Sequence, residues 1–373
     1  MAHAYTPGLR VADSTIIRKT RMLPIRGDVV VKLGERVGAD RVVARTELPG
    51  NVQLVNIAHN LGIEAAEVPS RMKVALHEPI KKGQLIAENI GFMGWFRSEV
   101  HAPCDGTIES VSKVTGQALL REPPLPLEVT AYISGEVTQV FESEGVEVTT
   151  EGTIVQGIIG IGGEKHGALK ILAKSPTQVL RPEDIDTSCA GKIIVGGKRA
   201  DLDTYRRAEE VGAIGLVLGS FDDADLGKII GHDLGIAITG SEEITTTLIL
   251  TEGFGDLNMA QRTFDLLARL DGQNASINGA TQIRAGVIRP EIIVSREKLS
   301  GVEARPIKTE TNIGARVRII RQPHFGVIAR IKSLPSEAVV IESGATVRVM
   351  LVTLPDGSEH LLPRANVELI EEG

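Results

Sequence analysis

Short runs of valine, isoleucine and leucine, each ended by a glycine turn, recur over the first 160 residues, and this pattern fits small β-modules better than any other architecture. Aromatic residues make up only 3% of the chain, so aliphatic side chains must fill its cores, while 40 glycines and 17 prolines supply the turns. A chain of 373 residues exceeds what one hydrophobic core can organise, which implies two to four modules.

An internal match supports the modular reading. Ala102-Pro-Cys-Asp-Gly106-Thr-Ile108-Glu-Ser-Val111 and Ala131-Tyr-Ile-Ser-Gly135-Glu-Val137-Thr-Gln-Val140 share an alanine, a turn residue, a glycine and β-branched positions in register. A second recurring piece joins Ile80-Lys-Lys-Gly83-Gln-Leu85 to Val148-Thr-Thr-Glu-Gly152-Thr-Ile154, and the pair predicts two hairpins of one type.

The stretch Ile80-Lys-Lys-Gly-Gln-Leu-Ile-Ala-Glu88 followed by Ser98-Glu-Val-His-Ala-Pro-Cys-Asp-Gly-Thr-Ile-Glu-Ser-Val111 resembles a barrel-sandwich hybrid of the biotinyl/lipoyl type. Carrier members of that family receive biotin or lipoate on a lysine at a hairpin tip, at the position that Trp95 occupies here. Without an amine the tip has no nucleophile for the carrier amide, so the resemblance implies a non-carrier hybrid. Such hybrids occur in electron-transport subunits, RNA polymerase large subunits and efflux adaptors. Phe92, Met93, Trp95 and Phe96 then make an apolar tip, read either as a contact surface or as a hairpin folded onto its neighbour.

Near Gly191 the pattern changes to buried strands alternating with helices. Lys192–Val195 and Ala213–Leu218 read as strands, with a helix through Tyr205–Val211 capped by Asp203 or Thr204. Ala224–Ile230 predicts a second helix, Leu234–Thr239 a third strand, and Asp256–Asp271 a longer helix with Leu257, Ala260, Phe264 and Leu267 as its buried stripe. Residues 180–255 resemble the protease-associated type of swivelling β/α domain, which implies a domain that binds or covers partners.

The C-terminal segments Gly314–Ile320, Pro323–Ile331, Val347–Val352 and Leu361–Val367 read as the short strands of a small barrel. Residues 312–371 resemble a KOW domain of the SH3-like barrel class, with Gly326 as its marker glycine, and relatives contact RNA or protein through the corresponding loop. Arg316, Arg318, Arg321, Arg330 and Lys332 fall in an acid-free stretch around Phe325, a set able to meet phosphates and stack on a base. The other reading is a solvated face, because acids elsewhere make residues 301–373 charge-neutral.

Other constellations carry less chemistry. The run Gly157–Gly167 lacks the Gly-Lys-Ser/Thr of a phosphate loop and the third glycine of a dinucleotide fingerprint, so it reads as a glycine-assisted turn, with Lys165 and His166 left as anion contacts. Glu242, Glu243, Glu252 and Asp256, near His232 and Asp233, match no metal-ligand spacing and suit helix N-termini. Thr251–Gly255 and Ser276–Thr281 are polar, glycine-containing segments after buried strands, where α/β crevices lie. Cys104 and Cys189 have no pairing pattern and read as reduced thiols. No catalytic residue, metal or cofactor is called for. The net charge of −7, the absence of a signal-like run and the lack of a long apolar stretch imply a cytoplasmic protein that spans no membrane.

The expected fold class is multi-domain and mainly β with an α/β middle domain. Its parts are an extension (1–27), a barrel-sandwich hybrid (28–175), a swivelling-type domain (176–296) and a small SH3-like KOW barrel (310–373). The expected function is that of a non-enzymatic adaptor or assembly subunit with protein partners. Nucleic-acid binding through the barrel is the alternative, and an accessory role in a cofactor-dependent enzyme, with a ligand near Thr251–Gly255 or Gly279–Arg284, is a third.

Overall fold

In a computed structural model, residues 9–90, 97–231, 244–281, 288–296, 313–319, 324, 327–335, 337–340 and 346–371 are described. The chain is mainly β, with several sheets. Among the described residues the buried apolar side chains gather in five clusters, and the order in which the chain visits them defines the architecture.

The described residues begin with a long strand, β1 (Leu9–Met22), where the sequence predicted an extension. A bulge hides this strand from pattern reading. Its register against its main partner slips between Ala12 and Thr15, so one extra residue reverses the side to which odd-numbered positions point. Leu9 and Val11 therefore join one core and Ile17 another. After β2 (Asp28–Val29), β3 (Arg36–Val37) and β4 (Val42–Leu48), the chain leaves this first module.

Residues 52–121 form a module with its own core, centred on Ile57, Ile86, Ile108 and Leu120. It contains β5 (Val52–Asn56), α1 (Ile57–Leu61), α2 (Val68–Arg71), β6 (Pro79–Ile80), β7 (Leu85–Ile90), β8 (Arg97–His101), β9 (Gly106–Val111) and β10 (Gln117–Arg121). β7 and β8 pair as a hairpin, and β5, β10, β9 and β6 form a second sheet with β5 on its edge. The chain then returns to the first module through β11 (Leu125–Thr130), β12 (Gly135–Phe141) and β13 (Gly145–Gln156). Residues 28–175, read from sequence as one hybrid, thus contribute to four of the clusters.

The internal match holds in three dimensions: β9 and β12 each begin at the aligned glycine, with Ile108 and Val137 at matched buried positions in separate cores. The second match does not. Gly83 turns the chain between β6 and β7, whereas Val148–Ile154 lies within the unbroken β13. Gly152 is there for proximity, because a Cβ at that position would lie 2.2 Å from the Val294 carbonyl oxygen of the adjacent strand.

Next come β14 (Ile159–Ile161), β15 (Glu164–Ile171), β16 (Ile193–Val195), α3 (Leu202–Glu210), β17 (Gly215–Phe221), α4 (Asp223–Ile230), β18 (Thr247–Phe254), α5 (Gln261–Ala268), β19 (Asn274–Asn278) and β20 (Glu291–Ser295). β15 through β18 pair in parallel, and β14 adds to β18 antiparallel. Alternate residues serve the two faces. Ile193, Val217 and Ile249 pack with Phe264 and Leu267 of α5, while Ile194, Leu216 and Leu248 pack with Tyr205 of α3 and Leu226 of α4. Helix α5 is shorter than predicted because Leu257 is held extended, its N–H donating to Ser220 Oγ and its carbonyl accepting from the same hydroxyl. The predicted strand Leu234–Thr239 lies outside the described residues.

The C-terminal module comprises β21 (Arg316–Ile319), β22 (Ile328–Ser333), β23 (Ala338–Val340), β24 (Thr346–Thr353), β25 (Glu359–Pro363) and β26 (Val367–Glu371) around Val317, Ile331, Met350 and Val352. β26 pairs with β21 and also, in parallel, with the start of β1, which ties the C-terminal module to the first strand. Among the described residues no helix is long and apolar enough to cross a membrane.

Candidate functional site

Among the residues singled out in the small barrel, Arg316 lies directly opposite Arg330 across β21 and β22, and the row continues to Thr353 and Glu359. Two like charges facing each other across a ladder destabilise it. Arg330 donates to the Gly314 carbonyl at 3.4 Å, and Lys332 ion-pairs with Glu359, so acceptors on the same module already answer part of the charge. The imidazole of His324 sits 4.3 Å from that of His360. Arg321, Phe325 and the Arg318 side chain lie outside the described residues, as do Phe92, Met93, Trp95 and Phe96.

At the C-terminal ends of β16, β17 and β18, where α/β proteins commonly hold phosphates at helix N-termini, this chain supplies its own carboxylates. Asp201 accepts from Thr204 N at 2.9 Å at the start of α3. Asp222 accepts from Ala224 N and Asp225 N at the start of α4. Glu252 accepts from Ala260 N at 3.0 Å just before α5, which has no side-chain cap of its own, and Asp256 ion-pairs with Lys198 and Arg199. Thr251 turns its hydroxyl to the Leu218 carbonyl. The segment Thr251–Gly255 thus serves the sheet and α5.

The Ser188 hydroxyl accepts from Lys170 Nζ. The same hydroxyl also bonds Asp186, which caps the following turn, and Ser188 is exposed. An exposed cap lacks the enclosure that nucleophilic catalysis requires. Among the described residues no three His, Cys, Asp or Glu side chains gather as metal ligands would.

A crevice of about 670 Å³ opens where β13 changes partner. One edge of β13 pairs with β1 along nearly its whole length, while the other pairs with β12 up to Thr149 and with β20 from Gly152 onward. The start of β12 and the end of β20 meet head to tail beside this gap. Buried Thr149 and Thr150 form the floor. Arg36, Ser134 and Glu136 line one wall, and Gln273, Asn274, Ser276, Ser295, Arg296 and His166 line the other.

A network of buried and half-buried polar groups lies beneath it. His166 Nδ1 is 3.2 Å from Ser276 Oγ, and the Ser276 hydroxyl donates to the Tyr132 carbonyl. Tyr132 is buried at φ +66°, a left-handed conformation that costs a tyrosine roughly 1–3 kcal/mol and that tends to cluster at functional sites. Burial pushes its phenol well above the usual tyrosine range, with Glu291 and Glu164 adding to the shift, so the hydroxyl stays protonated and donates to Glu291 at 3.2 Å. Lys19 and Arg21 approach the tyrosine ring at 5.8 and 5.3 Å, while Lys19 also ion-pairs with Glu291 and Arg21 with Glu164. Lys19 and Arg21 of the expected extension are therefore partners of acids far along the chain.

Of the crevice, sequence reasoning singled out Ser276, for its place after a buried strand, and His166, as an anion contact. Gly162 makes the turn expected in that run, at φ +85°. Arg36, Ser134, Glu136, Thr149, Thr150 and Arg296 were missed, because pairing of distant strands brings them together. The one local signal was the repeated turn that places Ser134 before Gly135. No protein-family model and no curated protein matches the chain.

Proposed function

We propose that this chain is a non-enzymatic adaptor or assembly subunit whose small β-modules bind protein partners. One observation carries this reading: at the C-terminal edge of the parallel sheet Asp201 and Asp222 fill the N-termini of α3 and α4, and Glu252 takes the N–H of Ala260 just before α5, groups that would repel a phosphate or carboxylate substrate there. Trp95 at the carrier-lysine position is in keeping with it. Edge strand β5 adds a surface for contact. Val52 and Leu54 are exposed on it, and it contains neither the lysine nor the proline that commonly protects sheet edges.

A second reading, RNA binding by the C-terminal module, is favoured by the opposed Arg316 and Arg330. The test is purification of the tagged chain from its host with and without ribonuclease, at low and high salt, alongside Leu54→Glu and a double Arg316→Glu/Arg330→Glu variant. The adaptor reading expects a stoichiometric protein set that survives ribonuclease and is lost from Leu54→Glu. Nucleic acid that is lost at high salt and absent from the double variant would overturn it in favour of the barrel reading.

A further inference from the structure

The crevice beside β13 has features of a built site and none that the adaptor reading uses. Its volume of about 670 Å³ lies in the range of metabolite pockets. Its floor is fixed, because Thr149, Thr150 and Ser276 are buried on paired strands and their hydroxyls already have protein partners. A ligand would meet an ordered polar surface with little side-chain entropy left to lose.

The lining also limits the chemistry. Two arginines, Arg36 and Arg296, and one acid, Glu136, line the crevice, and Arg296 also pairs with the carboxylates of Asp13 and Glu151. Arg296 is anchored, since it donates to the Asp13 carbonyl at 3.0 Å and lies 3.8 Å from Glu151. His166 is oriented through Nδ1 by Ser276, which leaves Nε2 without a hydrogen-bond partner among the described residues. Among the described residues no Phe, Tyr or Trp ring and no continuous apolar wall lines the space, which argues against a nucleobase or a lipid chain. Guanidinium, imidazole, amide and hydroxyl groups in this combination suit an oxyanion.

We propose that the crevice where β13 passes from β12 to β20 binds a small, polar metabolite through its carboxylate or phosphate group, with Arg36 and His166 as direct contacts. The inference stands apart from the adaptor reading. Occupancy also reaches the buried network, because Ser276 bonds both His166 and the Tyr132 carbonyl.

Isothermal titration of the full chain with inorganic phosphate and, separately, with citrate tests this, with sodium chloride at matched ionic strength as the control. The expected result is saturable one-to-one binding of one of the two anions. Arg36→Gln and His166→Gln should each weaken it about tenfold, the loss expected of one charge-assisted hydrogen bond. Arg206→Gln, which removes an exposed charge on α3, should leave it unchanged. Phosphate as the binder points to a phosphorylated metabolite, and citrate to a polycarboxylate. Hydrogen exchange should slow in β19 and β20 on binding. Saturation by neither anion, or equal weakening by Arg206→Gln, would overturn the proposal, and circular dichroism confirms that each variant is folded.

Discussion

Replacing Glu291 by leucine should be among the most damaging single changes in the chain, and the environment of Glu291 sets the size of the effect. Glu291 is 6% exposed, and its carboxylate accepts from both Lys19 and the Tyr132 hydroxyl. Removing it leaves an ammonium whose side chain is 25% exposed and a phenol in a dry environment. Breaking a fully buried pair from one side costs about 3–5 kcal/mol, and the water that reaches Lys19 lowers this to about 2–3 kcal/mol. The partners sit on β1 and β20, so the loss falls on the seam between the first module and the α/β sheet. A triple variant, Lys19→Met/Tyr132→Phe/Glu291→Leu, removes the three mutually bonded groups at once and should recover to within about 1 kcal/mol of the parent, since apolar replacement of a buried ion pair with its hydrogen-bonded partner is often neutral. Urea unfolding followed by circular dichroism gives the energies, and hydrogen exchange in β1 and β20 localises the effect. A triple variant as unstable as the single one would refute the reasoning, because the cost would then lie in packing and not in stranded polar groups.

Two further outcomes follow from other buried groups. The hydrogen bond from Lys73 holds the Glu88 carboxyl below its usual range, against the effect of burial and with Arg97 helping. The stabilisation from this network is therefore complete above the ordinary glutamate value and is lost as pH falls through the lowered one, so Glu88→Gln should flatten that part of an acid-unfolding curve. Tyr205→Phe should cost about 1 kcal/mol in a urea midpoint measurement, because the phenol donates to the Thr246 carbonyl at 2.8 Å in the core beside α3.

The parts of the fold that were legible in sequence were those whose pattern is local. In β16, α3, β17 and α4, apolar alternation or helical spacing lies within ten residues, and the predicted positions match the observed elements to within a few residues, although α3 begins earlier than read and is capped by Asp201 rather than by Asp203 or Thr204. β1 was not legible, because the bulge after Ala12 breaks its alternation and its charged residues find their partners more than a hundred positions away. The first turns predicted for α5 failed for a similar reason, since Ser220, 37 residues earlier, holds Leu257 extended against its local preference. The crevice belongs to the same class. Ser276 and His166 carried a local hint, whereas Arg36, Thr150 and Arg296 become neighbours only when three strands from distant parts of the chain meet on β13.

That dependence on β13 also explains why a crevice forms there. A strand of twelve residues is longer than either of the strands that share its second edge, β12 with seven and β20 with five. Both run antiparallel to it, so their ends must meet along that edge, and the carbonyl of Glu151 is taken up by the N–H of Arg296 at this point. Side chains next to the break are splayed between two cores, one under Val137 and Val148 and the other under Val155 and Ile292. Apolar residues at the break would weld the two halves into one core. The residues actually present, Ser134, Thr149, Thr150 and Ser295, keep the halves distinct and put hydroxyl groups into the space between them. An engineered Thr150→Val/Ser295→Val chain should therefore gain stability in urea unfolding while losing hydroxyl groups from the crevice, the trade expected where polar residues are kept for binding rather than for folding.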